Sequence, residues 1–297
     1  MKKFHQIIQE ICIQNGIKFR LLSKDWICFL EKGEESRYIV GHKFDLNGHG
    51  IGNVLDDKYA FYEVLLEKNY PTIVHHIIFR NYQQEELQVL FDKYDNSVVV
   101  KSNTGTCGNE VFYIQNLEQL FDIVNKLLKK HFSVSICPFY HIKNEYRLII
   151  LDNEVKVLYG KSKPVVVGDG VSTIKELLIL FNPYYFKNKE LDDSFDKILS
   201  KGEVFEYSWK FNLSQGSTLF QVDDNVLKQK LSELALSICK NLGISFCSID
   251  IFETWNHQLF IMEANSGVMM DSFIELYPNG YEIAKELYNE AIMKMMN

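Results

Sequence analysis

The sequence predicts an α+β fold rather than a doubly wound parallel sheet, because helices and strands interleave but hairpin-like strand pairs dominate. Three segments carry this prediction. Residues 225–242 repeat apolar side chains at helical spacing, which is typical of a long helix. Residues 146–160 and 248–265 each contain two apolar runs divided by a polar turn, which indicates antiparallel strand pairs.

Length and composition predict a sizeable globular protein. The chain has 297 residues, and at roughly 150 residues per domain this indicates about two domains or one domain of several lobes. Hydrophobic residues make up 46% and charged residues 24%, which excludes wholesale disorder. The formal net charge of -7 argues against a general binder of nucleic acid or anionic membrane, because such proteins need a surplus of cations.

Cysteine spacing and hydropathy predict a cytoplasmic location. The six cysteines form no CxxC pair, so free thiols in a reducing compartment are expected. The N-terminus lacks an uninterrupted apolar segment, and the longest apolar stretches are too short to span a bilayer. We therefore expect neither a secretion signal nor a transmembrane helix.

Residues 1–56 are predicted to form an N-terminal α/β region. Apolar residues at helical spacing begin the chain, and three β segments follow at residues 18–22, 26–30 and 37–40. The glycine- and asparagine-rich stretch 41–56 is predicted to be a loop, either facing a substrate or, as favoured here, simply connecting two elements.

Residues 57–297 are predicted to form the second, larger domain. Its first helix covers residues 58–68 and is stopped by Pro71. The later helices are expected at residues 83–94, 117–130, 173–181, 225–242 and 281–295, and the strands at residues 97–101, 110–114, 134–139, 146–151, 155–160 and 248–265.

The C-terminal hairpin carries the strongest chemical signal. Glu263 and Asn265 alternate along one strand and therefore share a face, and antiparallel pairing brings Asp250 onto that face. Two carboxylates and a carboxamide oxygen form a hard-oxygen site suited to Mg²⁺, which leaves positions open for phosphate. Taken alone, this spacing more often marks the solvent side of an edge hairpin.

A second signal lies upstream, where an apolar strand ends in Lys101 and is followed by a loop of small residues from Ser102 to Asn109. Glycines allow backbone N–H groups to approach phosphate closely, and the lysine supplies a charge. The loop matches neither a P-loop nor a dinucleotide-binding fingerprint, because the next element is a strand. Taken alone, it is an ordinary hairpin turn more often than a phosphate site.

The order of these elements resembles the ATP-grasp superfamily. Two further motifs support the resemblance, VVGDGVSTIKEL at residues 166–177 and NLSQGS at residues 212–217. Over about residues 56–270 the chain is similar to the ATP-grasp segment of cyanophycin synthetase and to glutathione synthetase-like enzymes. The resemblance implies two α+β lobes that sandwich a nucleotide, with a lid subdomain at about residues 95–138 and a C-terminal lobe at about residues 139–297.

The resemblance also implies roles for individual residues. Lys101 would contact ATP phosphates, the loop from Gly105 to Gly108 would cover them, and the hinge at residues 136–139 would hold adenine. Cys137-Pro138 stands where many relatives have an acidic residue, so backbone groups would recognise more of the adenine. The implied nucleotide-binding residues are Lys101, Gly105, Thr106, Cys107, Gly108, Cys137, Phe139 and Asn212.

Two cations are assigned catalytic roles. Arg147 is one of four arginines among 32 basic residues, which favours planar recognition of an anion over its alternative, a surface salt bridge. Lys161 stands where relatives have a basic residue that meets the substrate carboxylate or the γ-phosphate, and it fits the spacing better than Lys163. After Asn265 the family's proline-glycine is replaced by Ser266-Gly267, which puts the acyl-acceptor pocket in doubt.

The predicted function is an ATP-dependent carboxylate-amine ligase that forms an amide bond through an acyl phosphate and releases ADP and phosphate. The predicted cofactors are ATP and Mg²⁺, with Mn²⁺ as an alternative, and the expected partners are a small carboxylate and an amine such as an amino acid or short peptide. Neither nucleic acid nor membrane is expected, and a homodimer is left open. The alternatives are an ATP-grasp phosphotransferase and a non-catalytic ATP-binding protein.

Overall fold

The computed structural model of the chain describes residues 2–105, 108, 110–181 and 193–297. The chain divides into two compact units. Unit 1 comprises Met1–Leu158 and Val222–Asn297, and unit 2 comprises Tyr159–Gln221. In the described part of the chain, every helix is too short or too polar to cross a membrane.

Helices and strands alternate irregularly along the chain. The helices are α1 (Lys3–Gln14), α2 (His49–Asp56), α3 (Lys58–Glu67), α4 (Gln84–Lys93), α5 (Leu117–Leu128), α6 (Ile174–Phe181), α7 (Asn225–Leu242), α8 (Asp271–Leu276) and α9 (Gly280–Met296). The strands are β1 (Lys18–Leu22), β2 (Ile27–Lys32), β3 (Glu35–Val40), β4 (Lys43–Phe44), β5 (His76–Phe79), β6 (Val98–Ser102), β7 (Val111–Ile114), β8 (Ser133–Pro138), β9 (Ile142–Leu151), β10 (Glu154–Ser162), β11 (Val165–Val167), β12 (Val204–Glu206), β13 (Thr218–Phe220), β14 (Phe246–Thr254) and β15 (Leu259–Asn265).

The N-terminal region of unit 1 is a helix followed by a four-stranded antiparallel sheet in the order β1-β2-β3-β4. The predicted helix and strands are confirmed. The prediction of a loop over residues 41–56 is wrong, because this stretch contains β4 and α2. Glycines at positions 48, 50 and 52 weaken the local helical signal, but α2 packs against β15, and this tertiary contact stabilises it.

The predicted lid subdomain is built on a second antiparallel sheet in the order β5-β8-β6-β7. One face of this sheet buries Val98, Val100, Val134 and Ile136 against α4 and α5. Because side chains alternate along a strand, Lys101 and Cys137 lie on the opposite face. The strand order therefore places the predicted phosphate-binding and hinge residues on one surface of the sheet.

A third sheet has β14 paired with β9 on one side and β15 on the other, both antiparallel. The hairpin predicted at residues 248–265 is confirmed. A β-bulge interrupts the β14–β15 register between Asp250 and Ile251, so that Met262 is the additional residue. Ile261 and Ala264 are both buried although they are three positions apart. Strict alternation fails at this point, and Ile261 faces away from Glu263.

Beyond the bulge, the same sheet holds a buried carboxylate. The side chain of Glu253 is 5% exposed and accepts hydrogen bonds from the Tyr146 hydroxyl at 2.7 Å and the Asn144 amide at 3.2 Å. Lys143 and His257 contact its other oxygen. Burial raises the pKa of Glu253, but the hydrogen bonds outweigh burial and lower the pKa from 4.5 to about 2.

Unit 2 contains α6, the β11–β12 pair and β13, which pairs with the end of β10. The Gly168-Asp169-Gly170 segment forms a turn before α6, with Asp169 Oδ1 accepting from the backbone N–H groups of Val171 and Ser172. Thr173 and Glu176 then cap the helix reciprocally. These local bonds account for the turn without any catalytic role.

Candidate active site

Three charged residues form a row across the third sheet. Asp250 on β14 lies opposite Arg147 on β9 and opposite Glu263 on β15, so all three occupy one face. Arg147 holds both oxygens of Asp250, with Nε 2.8 Å from Oδ1 and Nη2 2.5 Å from Oδ2. The side chain of Asp250 is only 3% exposed. Arg147 therefore belongs to the carboxylate cluster and makes a bidentate pair that is largely buried.

The next row on this face adds the predicted carboxamide. Asn265 lies opposite Ser248, and its Nδ2 donates to Glu263 Oε1 at 3.4 Å. Because the nitrogen is the donor, the carbonyl oxygen of Asn265 is the atom suited to a cation. The described residues contain no group of three or more His, Cys, Asp or Glu side chains placed for a metal. A site here would therefore depend on the carboxamide, and the mixed oxygen donors fit Mg²⁺.

The row on the other side of the charged residues is aromatic. Phe252 and Phe260 lie opposite each other on β14 and β15 and stack with ring centroids 5.4 Å apart. Tyr140, which follows β8, lies 5.4 Å from Phe252. In the predicted hinge itself, Phe139 stacks on Tyr113 at 4.0 Å. Phe252 is fully buried in this row, so the charged residues are bordered by packed aromatic side chains, and the half-buried Phe139 and Phe260 keep part of their surface accessible.

Lys58 is a site residue that the sequence analysis did not identify. Its Nζ donates to the carbonyl oxygen of Gly105 at 2.5 Å and lies 4.0 Å from Glu263 Oε2. Burial lowers the pKa of Lys58, and the nearby charge of Lys101 lowers it further, whereas Glu263 raises it. Lys58 begins α3 directly after the N-cap Asp57. It links the predicted lid loop to the carboxylate hairpin.

Lys101 lies on the face of the lid sheet that is turned away from the α4–α5 core. It is 7% exposed and directly opposite Ser135 on β8, whose hydroxyl is hydrogen-bonded to His75 Nδ1 at 2.6 Å. Burial, together with the charges of Lys101 and Lys58, holds the pKa of His75 well below its usual range. His75 is therefore neutral, and its Nδ1 is hydrogen-bonded to Ser135.

The side chain of the hinge cysteine, Cys137, is buried and contacts the neighbouring strand β6. Cys137 lies opposite Val99 and its Sγ donates to the Val99 carbonyl oxygen at 3.7 Å. Burial raises the pKa of the Cys137 thiol, so it is not a reactive thiolate. Any contact of this residue with a base would be made through its backbone or its apolar surface.

The lid loop is described at its two glycines, while Thr106 and Cys107 lie outside the described residues. A methyl group at Gly105 would meet the hydroxyl of Ser102, so a side chain there would require Ser102 to change its rotamer. Asn103 precedes this turn and is 1% exposed. Its Nδ2 is a buried donor without a hydrogen-bond partner in the described part of the chain. A donor of this kind, on the segment that follows Lys101 and is hydrogen-bonded to the first turn of α3, fits a phosphate oxygen.

The segment after Asn265 contacts the misassigned stretch 41–56. The hydroxyl of Ser266 donates to both oxygens of Asp56, at 2.9 and 3.1 Å, and Asp56 is also paired with Lys43. Lys43 forms an isolated β-bridge with Gly267. The N-terminal region therefore borders the end of the carboxylate hairpin, where the acyl-acceptor pocket was expected.

Lys161 and Asn212 lie in unit 2. Lys161 is 4% exposed and opposite Leu219 in the β10–β13 pair. Asn212 Oδ1 accepts from the N–H of Ser214 at 3.0 Å and from its hydroxyl at 2.9 Å, which caps a short 3₁₀ helix. The catalytic role of Lys161 and the phosphate or metal contact of Asn212 stay predictions.

Comparison with known proteins gives sequence relatives and structural neighbours. No protein-family model matches the chain. The chain is 21% identical over 265 residues to the glutathione biosynthesis bifunctional protein GshAB of Pasteurella multocida, covering 80% of this chain and 34% of that protein. It is 23% identical over 267 residues to the protein of the same name from Streptococcus mutans, again covering 80% and 34%. The chain thus spans about a third of the length of these relatives.

Solved structures show the fold. The bifunctional glutathione synthetase of Pasteurella multocida superimposes with a TM-score of 0.57 at 19% identity, covering 96% of this chain and 44% of that one. D-alanine–D-alanine ligase from Bacillus anthracis gives a TM-score of 0.54 at 14% identity, covering 82% of this chain and 66% of that one. Both neighbours are ATP-grasp proteins. The chain has the ATP-grasp fold. The fold predicted from the order of the motifs, and the resemblance to glutathione synthetase-like proteins, are confirmed.

Proposed function

We propose that the protein is an ATP-dependent carboxylate-amine ligase. The observation that supports the proposal is that one compact unit holds two groups of residues with the chemistry expected of an ATP-binding centre. Lys58, Lys101 and the lid loop form a cationic, donor-rich group, and Asp250, Glu263 and Asn265 form an oxygen-ligand group. The names of the relatives, which include glutathione biosynthesis proteins and a D-alanine–D-alanine ligase, support amino acids or short peptides as the substrate class.

The nucleotide would lie with its base at the hinge and its phosphates at the lysines. Phe139, which is half-buried in the hinge and stacks on Tyr113, offers apolar surface for adenine. Lys58 and Lys101 would meet the phosphates, replacing the present contact of Lys58 with the Gly105 carbonyl oxygen. Two buried ammonium groups held near each other are costly unless an anion compensates them, which favours a polyanionic ligand.

Asp250, Glu263 and Asn265 would hold Mg²⁺. When bound, the ion neutralises charge on phosphate oxygens as the phosphoryl group transfers. The protein's own contribution is the geometry of the row. Arg147 fixes the carboxylate of Asp250 through two hydrogen bonds, and Lys58 lies 4.0 Å from Glu263, so both carboxylates keep one orientation before a cation arrives.

The reaction would proceed in two steps that need no side-chain nucleophile. A carboxylate oxygen of the substrate attacks the γ-phosphorus, and ADP leaves. An amine nitrogen then attacks the acyl carbon, the C–O bond to phosphate breaks, and phosphate departs with the electron pair. Arg147 and Lys161 are the proposed cations that stabilise charge during these steps. The ligated amide, ADP and phosphate are the products.

Acid- and amine-dependent ADP release tests this function. Amino acids and short peptides are screened in pairs for ADP release, with mass spectrometry of the products. Hydroxylamine, added in place of the amine, should trap the acid as a hydroxamate. A stable phosphate ester of an alcohol substrate would instead establish a phosphotransferase and contradict the ligase.

Nucleotide binding is tested separately from turnover. Lys101→Ala should weaken ATP binding by about 1.5–3 kcal/mol in calorimetry, because one charge-assisted contact is lost. Lys126→Ala on the exposed side of α5 is the matched control and should bind ATP as the parent does. Equal affinity of all three proteins would remove Lys101 from the site.

A further inference from the structure

The side chain of Asn103 is fixed at one end and unsatisfied at the other. Its Oδ1 accepts a hydrogen bond from the backbone N–H of Tyr59 at 3.1 Å, and its backbone carbonyl oxygen accepts from the N–H of Lys58 at 3.2 Å. These bonds tie the first turn of α3 to the start of the lid loop. Because the Tyr59 N–H needs an acceptor, the amide atom that it contacts must be the oxygen, and Nδ2 is the amide atom without a hydrogen-bond partner in the described part of the chain.

The Nδ2 group is a preset donor that the described residues do not satisfy. Asn103 is 1% exposed, and a buried donor without a partner is destabilising because it has lost its hydrogen bond to water. Such groups are rare in native proteins, and they are usually explained by a bound ligand, an ordered water molecule or local strain that serves a function. Here the donor lies two residues beyond Lys101 and on the segment that contacts Lys58.

The surroundings of this donor select an anion. Lys58 and Lys101 are both largely buried, and each charge acts on the other. Gly105, two residues further along, has no side chain of its own, so its backbone can approach a ligand closely. Phosphate oxygens are acceptors that satisfy ammonium, amide and backbone donors together.

We propose that the carboxamide of Asn103 is a phosphate-binding group of the nucleotide site and that it couples the lid loop to α3. The inference rests on the proposed function, because ATP supplies the phosphate. Nδ2 donates to a phosphate oxygen, while Oδ1 keeps its bond to the Tyr59 N–H. Phosphate binding thus holds the first turn of α3, and with it Lys58, against the lid loop.

Two variants remove the donor in different ways. Asn103→Asp keeps an oxygen for the Tyr59 N–H and replaces only the donor, but it adds a charge. Asn103→Leu has a similar volume and adds no charge, but it removes both the donor and the acceptor of the Tyr59 N–H. Asn125→Asp on α5 is the matched charge control, because Asn125 likewise accepts through Oδ1, from the Tyr82 hydroxyl at 3.0 Å.

Binding of ATP, inorganic tripolyphosphate and adenosine is measured by calorimetry for the parent and the three variants, with thermal melting of each protein without ligand. Both Asn103 variants should bind ATP and tripolyphosphate at least about 10-fold more weakly, as expected for a lost hydrogen bond to a charged group, and adenosine as the parent does. Asn103→Asp should melt no lower than the parent, because its new carboxylate lies near two lysines.

The outcomes divide clearly. If Asn103→Leu binds tripolyphosphate within about 2-fold of the parent, the donor is not a phosphate ligand and the inference is overturned, even where the parent binds ATP normally. If adenosine affinity falls as much as ATP affinity, Asn103 acts only on the fold and the inference is likewise overturned. If the parent binds tripolyphosphate through Asn103 but not ATP or adenosine, the phosphate site stands and the ligase proposal falls. Binding of none of the three ligands overturns both.

Discussion

Removal of Arg147 should destabilise the protein severely, because it leaves the Asp250 carboxylate buried without its bidentate partner. The two side chains are 21% and 3% exposed, and their hydrogen bonds measure 2.8 and 2.5 Å. With charge centres about 4 Å apart and an effective dielectric constant of about 20, their attraction is about 4 kcal/mol. Breaking such a pair from one side costs about 3–5 kcal/mol, because the remaining charge stays desolvated. Arg147→Met should therefore lower the free energy of unfolding by that amount.

A double-mutant cycle isolates this interaction. Urea unfolding is measured for the parent, Arg147→Met, Asp250→Asn and the double variant, all without metal. The double variant should recover most of the loss, because an isosteric neutral pair carries no buried charge. Arg147→Lys keeps the charge but not the planar fork, so it should lie between the parent and Arg147→Met. A cost below about 1 kcal/mol for Arg147→Met, the range of exposed ion pairs, would refute the reasoning.

Three other substitutions test separate parts of the structure. Glu263→Gln should stay folded without metal, because the Glu263 side chain is 27% exposed and Arg147 still holds Asp250, while ADP release falls about 100-fold; normal turnover would remove Glu263 from the metal site. Glu253 has a pKa lowered to about 2, so its contribution to stability is present above its ordinary pKa and is lost as the pH falls through about 2. Urea unfolding of Glu253→Gln between about pH 5 and 2 should therefore show a shallower loss than the parent, and equal slopes would contradict the assignment. A methyl group at Gly280 would lie 2.5 Å from a backbone carbonyl oxygen, whereas one at Gly50 would meet nothing within 4 Å. In urea unfolding, Gly280→Ala should therefore lower the free energy of unfolding by about 1–3 kcal/mol, and Gly50→Ala should not lower it. Equal stability of the two variants would contradict the close packing at Gly280.

The elements that the sequence predicted well are those whose pattern is local. The long helix over residues 225–242 combines apolar spacing with an N-cap aspartate and a C-terminal glycine, and the structure gives the same bounds. The row of Asp250 and Glu263 followed from the two-residue period of a hairpin. Arg147 was predicted to recognise an anion in a planar, bidentate way; in the structure it holds the Asp250 carboxylate in this way, and its catalytic role stays a prediction.

The features that the sequence did not predict depend on contacts between distant segments. Lys58 and Glu263 are about 200 positions apart, and no spacing rule connects them. Helix α2 contains Gly50 and Gly52, which disfavour a helix locally, so packing against β15 had to override propensity. Strand β5 was missed because His75-His76 interrupts its apolar pattern, although His75 is satisfied by Ser135 once the sheet forms.

The bulge at Met262 has a consequence for how this hairpin can change during evolution. On its inner side, the side chains at positions 263 and 265 share a face with Asp250, whereas on its outer side position 261 points the other way and faces Ile251. A single-residue insertion or deletion within β15 would therefore not simply lengthen or shorten the strand. On one side of the bulge, the side chains that now face the cation site would face the core, and those that now face the core would face the cation site. An isoleucine would then lie where a cation is expected, or a carboxylate would be buried in the core. Point substitutions can retune this hairpin gradually, but a change of length would have to be matched by a new bulge in the same step.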